Sequence, residues 1–172
     1  PDSALVTSNR HFFYPDFSSD LHHELEVVIR INRLGKSIEE KYAHPYFNEM
    51  ALGGDFTARA LKAKQTKKGL PSDIAKGFDY SAPISGFYPL DRFGDIHNLS
   101  FRLDVNGKTV QDGNTSLMIF SFEKIITYVS RFMTMKTGDL IFTGTPAGVG
   151  PVAINDRLEA YLEGVKLMDC PV

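Results

Sequence analysis

The sequence predicts one mainly β domain with a few helices, an α+β fold spanning residues 1–172, and three observations carry that expectation. Between residues 23 and 31 the apolar side chains Leu25, Val27, Ile29 and Ile31 alternate with others, which is the period of a strand. Leu99, Phe101, Leu103 and Val105 alternate again and run into Asn106-Gly107, a pair suited to a type I′ turn, so a hairpin should continue through residues 108–111. Strand-like stretches then recur at residues 139–143, 157–163 and 165–169, the last two joined at Gly164. Strands that outnumber helices and return by tight turns imply a twisted, largely antiparallel body with helices on its outside.

The helices are fewer. Ser37-Ile-Glu-Glu40 has the form of a capping box and predicts a short helix that Pro45 ends. Residues 57–68 are rich in Ala, Leu and Lys and precede Gly69, which predicts a helix with a glycine cap. Ser121 is placed to cap a third helix, whose apolar positions Phe122, Ile125, Ile126, Val129 and Phe132 follow the helical period. No repeat, low-complexity tract or linker divides the chain.

Composition narrows the function classes. The 172 residues are 42% hydrophobic and 23% charged, ordinary for a globular domain. A net charge of −2 gives no reason to expect nucleic acid or an anionic membrane as partner. No apolar run is long enough to span a bilayer. The one cysteine, Cys170, allows no intrachain disulfide and fits a reducing, cytoplasmic setting as an inert thiol. Pro1 stands where Met would open a chain and no signal-peptide pattern follows, so the sequence is expected to begin partway into a longer protein.

Acidic residues carry the chemistry. Glu24 and Glu26 stand two apart on the first predicted strand and so point to one face. Like charges held side by side repel, and when half buried they raise each other's pKa or need a cation. Asp55 follows Gly53-Gly54, where the backbone can approach closely, and precedes the helix of residues 57–68. Three such oxygens make a hard anionic site suited to Mg²⁺ or Mn²⁺. Spacing alone leaves two other readings open, a solvated Glu-x-Glu strand edge and an Asp55 that merely caps its helix. His22 and His23 flank the pair, but without Cys or a second spaced His they do not form a zinc signature.

Cations and a glycine-rich loop surround these acids. Arg59 and Lys62 lie three apart on one face of the predicted helix, and Lys76 sits in Ala-Lys-Gly-Phe-Asp79. Thr143-Gly-Thr-Pro-Ala-Gly-Val-Gly150 lacks the ending of a phosphate loop and the spacing of a dinucleotide fingerprint. It can still offer backbone N–H groups and the Thr145 hydroxyl to a carboxylate.

Five segments in this order resemble the fumarylacetoacetate hydrolase family, most closely its small acylpyruvase and oxaloacetate decarboxylase-like members, over essentially the whole chain. They are His22-His-Glu-Leu-Glu26, Gly54-Asp-Phe-Thr-Ala-Arg59, Lys68-Gly-Leu-Pro71 with Ala75-Lys76, Gln111-Asp-Gly-Asn-Thr115 and Thr143-Gly-Thr-Pro-Ala-Gly-Val-Gly-Pro151. The resemblance implies a twisted β-roll of mixed sheets, usually a homodimer. It also implies Mg²⁺, with Mn²⁺ or Ca²⁺ as substitutes, held by Glu24, Glu26 and Asp55. Lys76 and Arg59 would face developing oxyanions, and Thr145 and Lys62 would contact the substrate. The implied reaction is C–C cleavage of acylpyruvates or fumarylpyruvate, or decarboxylation of oxaloacetate, with a pyruvate enolate in common. The alternatives are an isomerase or hydratase of 2-hydroxy-dienedioates from aromatic breakdown, or a non-catalytic relative.

Two positions depart from the family pattern. Ala58-Arg-Ala60-Leu-Lys62 stands where similar members read Ala-Arg-Asp-x-Gln, and Ser72 stands where a Trp is common. A general base, a His paired with Glu, is expected from the family in a segment ahead of Pro1.

Overall fold

The computed structural model describes residues 1–7 and 10–172. In chain order the strands are β1 (Leu5–Val6), β2 (Leu21–His23), β3 (Leu25–Ile31), β4 (Phe47–Gly54), β5 (Thr57–Ala58), β6 (Ala82–Pro83) and β7 (Tyr88–Pro89). They continue as β8 (Ser100–Val105), β9 (Lys108–Asn114), β10 (Leu140–Phe142), β11 (Gly150–Pro151), β12 (Arg157–Leu162) and β13 (Val165–Pro171). Among the described residues two α-helices join them, α1 (Arg59–Lys67) and α2 (Phe122–Phe132). The strands form sheets ordered β10-β3-β4-β7, β13-β12-β8-β9, β11-β2-β5 and β1-β6. Only the β1-β6 pair is parallel among the described residues, so the architecture is mainly β and mixed. No helix among them is long and apolar enough to cross a membrane.

The two hairpins form as their turns dictate. Asn106 and Gly107 carry φ of 52° and 77° between β8 and β9, and Glu163 and Gly164 carry 48° and 76° between β12 and β13. Both pairs have the positive φ values that a type I′ turn needs. Ser121 caps α2 by accepting from the Lys124 N–H at 3.2 Å. Phe122, Ile126 and Ser130, four apart, are the residues that α2 buries.

Strand β3 is the spine. Val27, Ile29 and Ile31 enter the large core with Leu52, Phe56 and Leu103, while Val28 on the opposite face packs with Ala51 and Ile84 in a smaller cluster. Each fully buried aliphatic side chain there contributes roughly 1.5–3 kcal/mol. Glu24 and Glu26 share the Val28 face, so core burial on one side aims two carboxylates to the other.

Three expectations are corrected. The single strand over residues 23–31 is divided at Glu24, where the chain passes from the β11-β2-β5 sheet to the β10-β3-β4-β7 sheet. Ser37 caps nothing. It sits at φ 52°, its N–H donates to Ser130 O at 2.9 Å, and its neighbour Ile38 donates to the Ser130 hydroxyl at 3.0 Å. These contacts across to α2 prevail over the local capping box, and two 3-10 turns, Glu40–Tyr42 and His44–Tyr46, replace the helix. Pro45 lies inside the second turn instead of ending the first. Finally, Thr57 and Ala58 pair with β2, so α1 begins at Arg59, and Asp55 does not cap it. The helix does stop at a left-handed Gly69, whose N–H donates to Thr66 O at 3.0 Å.

Candidate metal centre

The division of the first strand builds the site. Glu24 sits at the sheet crossing and Glu26 on β3, and Asp55 leaves the end of β4, which pairs with β3 from Leu25 opposite Gly54 onward. The Asp55 N–H donates to Glu24 O at 2.8 Å, which fixes the turn that brings the third carboxylate back. One oxygen from each of Glu24, Glu26 and Asp55 lies within 4.8 Å of the others. Both glutamates are buried and Asp55 is half-buried.

Cations and donors hold these acids apart from solvent. Lys76 Nζ donates to Glu24 at 2.9 Å and makes a short contact with Asp55. Arg59 Nη2 lies 3.0 Å from Glu24 Oε1, and the buried Thr57 hydroxyl donates to the same oxygen at 3.3 Å. Gly144 N–H donates to Glu26 Oε2 at 2.7 Å. Lys62 is half-buried one turn beyond Arg59, and its charge acts on Asp55.

The titration behaviour follows from burial. Desolvation pushes the Glu26 carboxyl up to about 7, partly opposed by the Gly144 N–H, while the charges of Asp55 and Glu24 add to the rise. Burial also raises Asp55, against the hydrogen bond and charge of Lys76. Desolvation alone would lower the Lys76 ammonium, but its hydrogen bonds to Asp55 and Glu24 carry it above its ordinary value. An oxygen-only donor set, close enough to share one ion and reluctant to ionise without one, fits a divalent cation.

A pH dependence is therefore expected of the metal-free protein. Glu26 holds its proton more tightly folded than unfolded, so stability is fully present below pH 4.5 and is lost as pH rises through about 7. The shift corresponds to roughly 3 kcal/mol. The lowered His23 acts in the opposite sense over the same range, so the fall is read as the difference in Tm between wild type and Glu26→Gln in chelator, which should grow from pH 5 to pH 8, and Mn²⁺ should raise the wild-type Tm more at pH 8. A difference unchanged between those pH values would contradict the assignment.

The remaining predicted residues are placed as follows. Thr145 donates its hydroxyl hydrogen to Leu25 O at 2.7 Å and accepts from Gln111 Nε2 at 2.8 Å. With Thr143, Gly144 and Pro146 it lines a cavity of about 470 Å³ whose other wall includes Phe101, Met118 and Phe120. His22 pairs with Asp20 at 3.0 Å, and the buried His23 bonds Gln111 at 3.0 Å, so neither ring joins the acids. Burial lowers His23, against its hydrogen bond to Gln111. Cys170 is buried, its thiol pushed up to about 11 by desolvation. The sequence reading missed Thr57 and Gly144 as donors to the acids. The density of Gly and Thr at residues 143–150 was the available signal for Gly144; nothing local marked Thr57.

A mixed β-roll that gathers three carboxylates with a lysine and an arginine around one point is the architecture of a metal-assisted enzyme. The chain belongs to the fumarylacetoacetate hydrolase family, since the model of the fumarylacetoacetate (FAA) hydrolase C-terminal domain matches residues 1–172. It is 43% identical over 168 residues to the mitochondrial oxaloacetate tautomerase of Bos taurus, covering 98% of this chain and 76% of that protein. It is 41% identical over 163 residues to the mitochondrial oxaloacetate decarboxylase of Dictyostelium discoideum, covering 95% and 75%. Among solved structures it is similar to the fumarylpyruvate hydrolase of Pseudomonas aeruginosa in complex with Mn²⁺ and pyruvate, with a TM-score of 0.95 at 33% identity, covering 100% of this chain and 76% of that one. The 2-hydroxyhepta-2,4-diene-1,7-dioate isomerase of Mycobacterium marinum superposes with a TM-score of 0.90 at 35% identity, covering 100% and 66%.

Proposed function

We propose that this chain is a divalent-metal-dependent enzyme acting on small 2-oxo acids, cleaving a C–C bond in acylpyruvates or fumarylpyruvate or decarboxylating oxaloacetate. The observation that carries the reading is the convergence of Glu24, Glu26 and Asp55 within 4.8 Å, beside Lys76 and Arg59. Its support from relatives is the set of activities they bear, on oxaloacetate and fumarylpyruvate, and the Mn²⁺ and pyruvate bound by one of them.

The three carboxylates would hold the cation, and Mg²⁺ is the ion we propose, with Mn²⁺ or Ca²⁺ in its place in vitro. When bound, the ion supplies Lewis-acid polarisation of the 2-oxo group. The chain's own residues do the rest. Lys76 and Arg59 present cations to oxygens that gain negative charge, and β3 holds both glutamates against a packed core so that they need not reorganise. Thr145, on the loop of residues 143–150, would meet the substrate carboxylate. Hydrolysis and decarboxylation both release a pyruvate enolate, which is why one site serves either. An isomerase is the second reading, favoured by the tautomerase and isomerase among the relatives, since the same enol chemistry without bond cleavage gives it. Incubation with acylpyruvates, fumarylpyruvate and oxaloacetate, with Mg²⁺ and with chelator, separates these by product mass. Two fragments support cleavage, and a new proton NMR spectrum at unchanged mass supports isomerisation. No change in any substrate overturns the reading. We also place the active form as a homodimer, which sedimentation would test.

Lys62 bears on substrate choice. Its cation stands by Asp55 where similar members carry a neutral Gln, so it would favour substrates with a second carboxylate. Lys62→Gln should cost roughly 1 kcal/mol, about fivefold in kcat/KM, on a dicarboxylic 2-oxo acid and little on a monocarboxylic one. Equal losses on both would remove Lys62 from the site.

A further inference from the structure

We propose that Gln111 is a positioning residue that locks residues 24–26 and the loop 144–146 into one unit and so sets the shape of the carboxylate cluster. The inference rests on the metal reading above, and goes beyond it to a residue with no contact of its own to the three acids.

Gln111 lies on β9, 1% exposed, and its amide uses four hydrogen-bonding positions. Oε1 accepts from Leu25 N–H at 2.9 Å and from His23 Nδ1 at 3.0 Å. Nε2 donates to Thr145 Oγ1 at 2.8 Å and to Pro146 O at 3.1 Å. The orientation of the amide is not a free choice. A backbone N–H only donates and a backbone carbonyl only accepts, so Leu25 fixes the oxygen and Pro146 fixes the nitrogen. His23 must then carry a proton on Nδ1.

The network closes on the residue between the two glutamates. Thr145 Oγ1, holding the Gln111 donor, donates onward to Leu25 O at 2.7 Å. The N–H and the C=O of Leu25 are thus both tied, one to Gln111 and one to Thr145. Any rotation of the Leu25 peptides would swing Glu24 and Glu26, and this ring opposes it. The same loop delivers Gly144 N–H to Glu26 Oε2 at 2.7 Å. Packing removes the remaining slack. Gly148, at φ +100°, abuts Val110 O so closely that a Cβ has no room, and a Cβ on Gly113 would lie 3.0 Å from Pro146. Strand β9 and the loop are thus in close contact on either side of Gln111.

Partners that orient metal ligands from behind commonly govern affinity by about 10–100-fold. Gln111→Met fills the space but neither accepts nor donates, and Gln111→Asn keeps the amide one methylene short. Titration of the full chain with Mn²⁺ should show both variants binding about 10–100-fold more weakly than wild type, with kcat lowered as well. Ser130→Ala is the control. It removes a buried hydroxyl that serves Ile38 N–H at 3.0 Å, remote in sequence from the acids and in a different network. It should lower Tm and leave Mn²⁺ affinity at the wild-type value. Gln111 variants that melt like Ser130→Ala yet bind Mn²⁺ as wild type does would overturn the proposal. Should Gln111→Met fail to fold, Gln111→Asn decides by the same comparison. A wild-type chain that binds no Mn²⁺ overturns the metal reading and this inference together.

Discussion

Glu26→Gln is expected to abolish cation binding and turnover while making the metal-free protein more stable at pH 8, by up to about 3 kcal/mol. The amide keeps the shape of the carboxyl and an oxygen for the Gly144 N–H, which now lies 2.7 Å from Glu26 Oε2. What it removes is a buried negative charge beside Asp55 and Glu24, the charge whose cost raises the Glu26 carboxyl to about 7. At pH 5 the wild-type carboxyl is already protonated, so the gain should vanish there. Denaturant melts in chelator at the two pH values give the stability difference, and calorimetric titration with Mn²⁺ gives the affinity. A variant no steadier than wild type at pH 8, or one with intact affinity, would mean that Glu26 is not held as the structure shows. Function here costs stability, as sites built from repelling groups generally do.

Lys76→Met should behave in the opposite sense. Its ammonium is the counter-charge that Glu24 and Asp55 share, and a partly buried pair stripped of its partner is destabilised by roughly 3 kcal/mol. The metal-free variant should melt earlier than wild type at pH 8, and Mn²⁺ should restore most of the loss because the ion replaces the missing charge. Turnover should nevertheless fall about 100-fold with the ion bound, the usual loss when one donor to a developing oxyanion is removed. Cation affinity retained with kcat lost would separate this role from that of Glu26. Affinity and kcat lost together would place Lys76 among the groups that only hold the fold.

Much of this was legible in the sequence because it was local. Alternation marked β3 and β8, Asn106-Gly107 marked the hairpin between β8 and β9, and Ser121 marked the start of α2. Glu24 and Glu26 could be paired because strand geometry puts residues two apart on one face. Asp55 could be added from its glycines, but the helix that follows it does not set its direction. Its direction comes from the Asp55 N–H donating to Glu24 O. What stayed hidden depends on contacts between distant segments. The capping box at Ser37 had every local feature it needed and lost to Ser130, more than ninety residues away. Gly144 and Gln111 act on the 24–26 segment from 118 and 86 residues further on, across loops whose path no periodicity encodes.

The placement of β3 has a kinetic consequence. That strand is flanked by β10 and β4, and only Arg30 along it is not buried. Its amides should exchange with deuterium only when the entire molecule opens. Asp55 and Lys76, by contrast, sit on connecting segments beside short elements. An ion held between a fixed wall and a yielding one leaves through the yielding side. Hydrogen-exchange mass spectrometry with Mn²⁺ should therefore record slowing around residues 55–57 and 75–77, and almost none at 27–31. The off-rate of the ion would be set by how often the loops breathe, with the glutamate wall standing still.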